Sequence, residues 1–457
     1  MEQLLCGTAR RCITPPAELL PRMRGLKQRR FAGVIDDLYV RALVLGSERQ
    51  RALILSFDMT TAPCTQEFLL KLAEATGIPE ENILFFSIHT HAVPFNSIDL
   101  EEREKQSADT LEACEEYTRF LHEQTMAAAV EANAAPRPAR MGWAWGESAV
   151  NVVRLQEYIY RDEAGTPFSV CNLGADPAKP ADRTLFVLRV EESEKGTPLA
   201  FLVNYAMHNV ATIWNDFDGS GAMGVSADIG GEVSRLLEQA YPDSVAVWSS
   251  GAAGDLNPLM LNETILPDPK TGRTYEYHPK GIGTALTCLR VMSQRHYADV
   301  KRLVDAIRCT EADGAAAGAL EWSVTPGCGC IRHHGAPPEF VTGPDVSEHT
   351  VRLQMVKVGG LTLLGAGAEL YSSIGRAMLD AAPRDTVLIT HNASALCCSH
   401  YILDDETIAR CDASRGFAMV PGYDEYRCQA GIMKDDLRRH TTSLAETIER
   451  RFSSCKS

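Results

Sequence analysis

Asn82-Ile83-Leu84-Phe85-Phe86-Ser87-Ile88-His89-Thr90-His91 joins an apolar, β-prone run to two histidines at positions i and i+2. The run predicts a strand. Residues i and i+2 of a strand share a face, so both imidazoles are expected to leave the sheet edge in one direction. Two neutral nitrogen ligands at a rigid strand end suit a transition metal. A single His-x-His pair arises often by chance, and the rest of the chain has to supply its context.

Upstream, residues 39–45 and 52–57 read as strands and 66–75 as an amphipathic helix, giving a strand–helix–strand rhythm into His89. Apolar spacing predicts a long helix over 100–132 with a solvated acidic face. Strands follow at 184–190, 199–205 and 245–249, with a helix over 229–240 between the last two. Residues 262–280, rich in Pro, Thr, Gly and charge, read as a surface excursion. A helix is expected over 285–306, and a hairpin of 351–358 with 361–366 around Gly359-Gly360. Helices over 369–381 and 437–452 and a strand over 387–391 complete the pattern. With no internal repeat or low-complexity linker, the expected fold is α/β: mixed β-sheets layered with helices, in one large domain spanning residues 1–457.

The composition is that of a soluble globular protein, 45% hydrophobic and 23% charged. A formal net charge of −15 argues against nucleic acid and anionic membrane surfaces as partners. A small molecule is the expected partner, and homo-oligomerisation is left open. The N-terminal residues lack the basic start and apolar core of a secretory signal, and no stretch reaches the roughly 20 apolar residues of a membrane span. The 14 cysteines show no paired-spacing framework, so reduced thiols in a cytoplasm are expected. Cys328-Gly329-Cys330 with His333 and His334 is a second metal candidate, but no further Cys-x-x-Cys completes a zinc knuckle.

Three further segments end in polar groups. Residues 201–207 run out at His208-Asn209; Ser249 to Pro258 form a small-residue turn carrying Asp255 and Asn257; and Gly367-Ala368-Glu369 is expected to open a helix. Zinc hydrolases commonly use three ligands of the His/His/Glu kind and leave a position for water. Each residue also has an ordinary reading. A lone histidine at a strand end is more often a satisfied core residue; Glu369 could complement a helix dipole; Asp255 and Asn257 could cap a turn. Spacing alone does not bring the segments together.

Taken in order, these segments resemble the catalytic domain of the neutral ceramidase family. The resemblance is carried by Gly7-Thr8-Ala9, Ile13-Thr14-Pro15-Pro16, residues 36–45, His89-Thr90-His91, Asn151-Val152-Val153-Arg154, the His208 segment, Val225-Ser226-Ala227-Asp228, residues 254–258 and Gly367-Ala368-Glu369. It implies one zinc ion held by His89, His208, Glu369 and Tyr401. It also implies that His91 and Arg154 line the site, that a second tyrosine falls at Tyr423 or Tyr426 with Tyr423 ranked ahead, and that Asp255 and Asn257 border the substrate. The chain departs from the family at Ala92-Val93, where Ser-Gly is usual, and at Asn257, where a serine can stand. It also leaves no room for the family's additional C-terminal β-sandwich domain.

The function so implied is a zinc-dependent amidohydrolase acting on an N-acyl compound other than long-chain ceramide. Water activated by the metal would attack the carbonyl, Arg154 or a tyrosine would stabilise the oxyanion, and His91 would move the proton. A metal-dependent esterase, lactonase or phosphoesterase is the alternative within the same chemistry. A degenerate binding homologue is the alternative outside it.

Overall fold

The computed structural model describes residues 2–100, 103–267, 274–325, 330–332, 339–341, 349–392, 401–413, 416–418, 425–426 and 430–455. An eight-stranded sheet organises it, in the order Val245–Ser250, Pro198–Tyr205, Thr184–Glu192, Arg137–Glu147, Leu5–Cys12, Tyr39–Gly46, Arg51–Phe57, Ile83–Ser87. The outermost pair at each edge is parallel and the inner pairs are antiparallel. Parallel pairs need crossovers, and the helices Gln66–Thr76 and Asp228–Ala240 supply them.

Where both faces of this sheet are buried, as along Arg51–Phe57, Ile83–Ser87 and Pro198–Tyr205, its strands read as largely continuous apolar runs rather than alternating ones. On one face Leu53, Leu55, Ile83, Phe85, Phe201 and Val203 pack under the helices, including the long Ala108–Ala134 and Gly283–Ala306. On the other, Ile54, Leu84, Phe86, Leu202 and Val247 meet Val356, Leu363 and Val387 of a second sheet. That sheet runs Ala316–Thr325, His349–Val358, Leu361–Ala366, Thr386–Ile389, and its outer face is covered by Ser372–Leu379 and Ala430–Cys455. The layers are therefore helices, large sheet, small sheet, helices, as the expected fold class requires.

Most expected elements are present within a few residues. One expected element start fails. Glu369 does not open a helix: Glu369–Leu370 is a short strand paired in parallel with Tyr401–Ile402, and the helix begins at Ser372. The excursion over 262–280 carries a hairpin, Thr264–Pro267 with Thr274–Tyr277. The sequence reading also passed over a long hairpin, Asn151–Arg161 with Pro167–Asp176, whose first strand carries Arg154. Among the described residues no helix is long and apolar enough to cross a membrane.

The large sheet places its distant strand ends side by side. Ser56 Oγ donates to the Trp248 carbonyl at 3.1 Å, so the outer strand Val245–Ser250 lies against Arg51–Phe57. Beyond the strand ends, Asn209 Nδ2 donates to the Ile88 carbonyl at 2.6 Å and Thr90 forms a bridge with Asn209. The two strands aimed at His89 and His208 are thereby tied at their tips.

Candidate metal centre

The strand entering the His-x-His motif stops at Ser87. His89 lies beyond it with φ 62°, in the left-handed region, so the two histidines do not project from a common strand face. They lie edge to face, with centroids 4.6 Å apart and planes at 83°. A left-handed non-glycine residue costs about 1–2 kcal/mol and persists where its surroundings enforce it. Here the His89 amide donates to the Met59 carbonyl at 3.0 Å and Nδ1 sits 3.0 Å from the Thr60 carbonyl.

His208 is held in the same manner from the opposite side. Its backbone N–H and its Nδ1 both meet the Leu256 carbonyl at 3.1 Å. A carbonyl only accepts, so in each ring Nδ1 carries the proton and Nε2 presents a lone pair. Both nitrogens lie close to one carboxylate oxygen: Glu369 Oε2 is 3.3 Å from His89 Nε2, without hydrogen-bond alignment, and 3.1 Å from His208 Nε2. The Tyr401 hydroxyl is 3.2 Å from His208 Nε2, as expected from the strand pairing that sets Tyr401 beside Glu369.

Three electron-pair donors thus face one another with one hydroxyl proton to share. Protonating the rings does not relieve His208, because burial, with Arg154 nearby, drives its pKa down to about 4. Burial opposes ionisation of Glu369, and its carboxyl is held well below its usual range only through positive charge and hydrogen bonds from His89 and His208, which rings presenting Nε2 lone pairs do not supply. A cation resolves the conflict. A tetrahedral zinc site with bonds of about 2.0–2.1 Å separates adjacent ligands by roughly 3.3 Å, which the observed 3.1–3.3 Å spacings match. The residues present fit a zinc ion.

His91 borders the same space. A ligand atom of His91 lies within 4.8 Å of those of His89 and His208, and neither of its ring nitrogens has a partner among the described residues. Burial and the adjacent His89 and His208 hold its pKa well below the ordinary value. Arg154 is anchored by Nε to the Gly254 carbonyl at 2.9 Å and stacks its guanidinium 5.1 Å above the Tyr401 ring, leaving Nη2 unpartnered. Burial, opposed by the Arg154 guanidinium and aided by Glu369, pushes the Tyr401 hydroxyl well above the ordinary phenol value.

Asp255 has a different employment. Its two oxygens accept from the backbone N–H and the hydroxyl of Ser372 at 2.8 and 2.6 Å, fastening the turn to the helix behind Glu369. Asn257 is buried on the short strand Leu256–Pro258, and its Oδ1 is unpartnered. Tyr423 lies outside the described residues, as do Cys328, His333 and His334. Tyr426 belongs to the short strand Glu425–Tyr426, beside Cys330.

One residue of the centre was missed. His391 is buried and stacks flat on His89, centroids 3.9 Å apart and planes within 10°. The signal was present, since the apolar run Val387 to Ile389 also ends in a polar group, but a single histidine without a spaced partner gave no pattern.

No protein-family description matches the chain, and no curated protein matches it in sequence. Solved structures do. The neutral ceramidase from Pseudomonas aeruginosa superimposes with a TM-score of 0.65 at 15% identity, over 99% of this chain and 75% of that one. A ceramidase complexed with C2 gives 0.67 at 15% identity, over 99% and 76%. The resemblance read from the sequence holds at the level of the fold.

Proposed function

We propose that the protein is a zinc-dependent hydrolase that cleaves a linear N-acyl amide. The observation that carries this reading is the convergence of His89 Nε2 and His208 Nε2 on Glu369 Oε2 at 3.3 and 3.1 Å, each ring fixed from behind by a backbone carbonyl. The fold shared with ceramidases supports amide hydrolysis over other uses of such a centre.

His89, His208, Glu369 and Tyr401 would hold the ion. When bound, zinc supplies a Lewis acid that polarises an acyl carbonyl and lowers the pKa of water from 15.7 towards about 7. The chain's own groups supply the rest. Arg154 keeps Nη2 free to donate to the carbonyl oxygen as negative charge gathers there, a contribution of about 3 kcal/mol for one such donor. His91, neutral and unpartnered, accepts a proton from water at a ring nitrogen and returns it to the departing amine. The new C–O bond forms first, giving the tetrahedral oxyanion; its collapse breaks the C–N bond, and the amine leaves with that proton. A hydroxyl from Tyr423 would add a second donor to the carbonyl oxygen.

The substrate is an N-acyl small molecule other than long-chain ceramide. Val93 supports this, because its side chain is buried two residues after His91 and fills space that a glycine would leave open. The test is to measure metal content together with turnover on matched amide, ester and phosphate substrates, in the wild type and in His208→Ala. One zinc per chain and amide turnover in the wild type, both lost in the variant, is the expected outcome. A metal-replete, active His208→Ala protein would overturn the assignment.

A further inference from the structure

His391 stands where the three ligand-bearing segments meet. Its neighbour Thr390 donates through its hydroxyl to the Gly251 carbonyl at 2.7 Å and through its amide to the Ser250 carbonyl at 2.9 Å. Those residues begin the turn that leads to Leu256, whose carbonyl orients His208. On the other side, the Asn392 amide donates to the Ala366 carbonyl at 3.2 Å, three residues before Glu369. Asn392 Nδ2 donates to the Phe85 carbonyl at 3.2 Å, on the strand that leads to His89. Gly365 is required for this arrangement, since a Cβ there would lie 2.6 Å from the Asn392 side chain.

Between those clamps His391 adopts φ 57°, as left-handed as the His89 it covers. Two non-glycine residues in this sparsely populated region, ring against ring, mark a place where the fold enforces a local geometry. The contact has a definite mechanical effect. The Thr60 carbonyl fixes which nitrogen of His89 is protonated but leaves the ring free to swing about that hydrogen bond. A parallel plate at 3.9 Å on one face, with His91 edge-on to the ring, removes that freedom. Partners that orient a metal-bound imidazole typically change metal affinity 10–100-fold when removed.

We infer that His391 is a positioning residue for the metal centre: it sets the plane of the His89 ring through its face, and its ring nitrogens play no part. The inference rests on the metal reading of the site. It is tested with His391→Asn, which tolerates the left-handed backbone but removes the plate, and His391→Phe, which keeps a flat ring without nitrogen.

Zinc affinity is measured by competition with a chromophoric chelator, and the visible absorption of the cobalt-substituted proteins is recorded alongside. The expected result is an affinity at least 10-fold weaker in His391→Asn with an altered cobalt spectrum, and recovery of both towards wild type in His391→Phe. Wild-type affinity and spectrum in His391→Asn would overturn the inference. So would a His391→Phe protein as impaired as His391→Asn while its thermal unfolding without metal matches the wild type. Absence of zinc binding in the wild type itself sinks the parent reading instead, so the two failures are distinguishable.

Discussion

His208 Nε2 and Glu369 Oε2 lie 3.1 Å apart although neither has a proton of its own to give. The imidazole proton is committed to the Leu256 carbonyl on the far side of the ring, so an ionised Glu369 meets it lone pair to lone pair. Without a cation such a contact would be unfavourable, and a cation between the atoms would satisfy both.

Glu369→Gln therefore has opposite effects on stability and on metal binding. The amide can donate to the imidazole nitrogens, so the chelator-treated variant is expected to be more stable than chelator-treated wild type by roughly 1 kcal/mol. It should retain little zinc and little activity. Denaturant unfolding in excess chelator, beside elemental analysis, checks both signs. A variant less stable than the metal-free wild type would contradict the lone-pair account.

Arg154→Lys keeps the charge but not the fork. Nε is fixed to the Gly254 carbonyl while Nη2 is free, and a lysine ammonium cannot serve both directions. The expected loss is about 10²–10³-fold in kcat, with KM changed far less and zinc content unchanged. Steady-state kinetics on the best amide substrate decide this, and an equal loss in KM alone would reassign Arg154 to ground-state binding.

Gly254→Ala should damage the centre from behind. A Cβ at this position would lie 2.8 Å from the Glu369 carbonyl oxygen and 2.9 Å from the Leu370 carbonyl, where the Gly254 amide already donates to Leu370. Backbone cannot yield as a side-chain tip can. The substitution is expected to cost about 1–3 kcal/mol of stability and to weaken zinc binding by moving the Glu369–Leu370 strand. Unfolding and chelator competition would show both, and an unchanged zinc affinity would mean that Glu369 tolerates the displacement.

Away from the centre, His296 gives the protein an acid-sensitive core. It is fully buried: Nδ1 pairs with Ser148 Oγ at 3.0 Å, that hydroxyl donates to Asp299 Oδ2 at 2.9 Å, and Nε2 accepts from Trp248 Nε1 at 3.3 Å. Burial pulls its pKa down to about 4, against the upward pull of Asp299. The unfolded chain, with an ordinary pKa near 6.5, binds the proton first. The stability associated with neutral His296 is thus complete above pH ~6.5 and is lost as the pH falls towards ~4, by up to about 3 kcal/mol. Urea unfolding across that window in wild type and His296→Phe is the check; parallel pH profiles would remove His296 as the cause.

The parts of this fold legible in the sequence were those buried on both sides. Residues 42–46, 52–55 and 83–86 are apolar without interruption because each lies between two hydrophobic layers, and their polar ends stand out by contrast. The strand carrying Arg154 was not legible: beyond Leu155 it alternates between half-buried and exposed positions, and its hairpin partner begins only at Pro167. The local state of Glu369 was misjudged because its helix-like surroundings concealed two residues paired across the fold with Tyr401, a contact that local propensity does not encode. His391 escaped for a similar reason. Its meaning lies in a ring more than three hundred residues away in the chain.

Both imidazoles aimed at Glu369 are steered by peptide oxygens, those of Thr60 and Leu256. Every amino acid brings the same peptide oxygen, so replacing Thr60 or Leu256 removes neither acceptor. Drift at these two positions can alter packing, yet the orientation of the donor nitrogens is inherited through the course of the main chain. A centre built in this way can outlast extensive turnover of the residues around it.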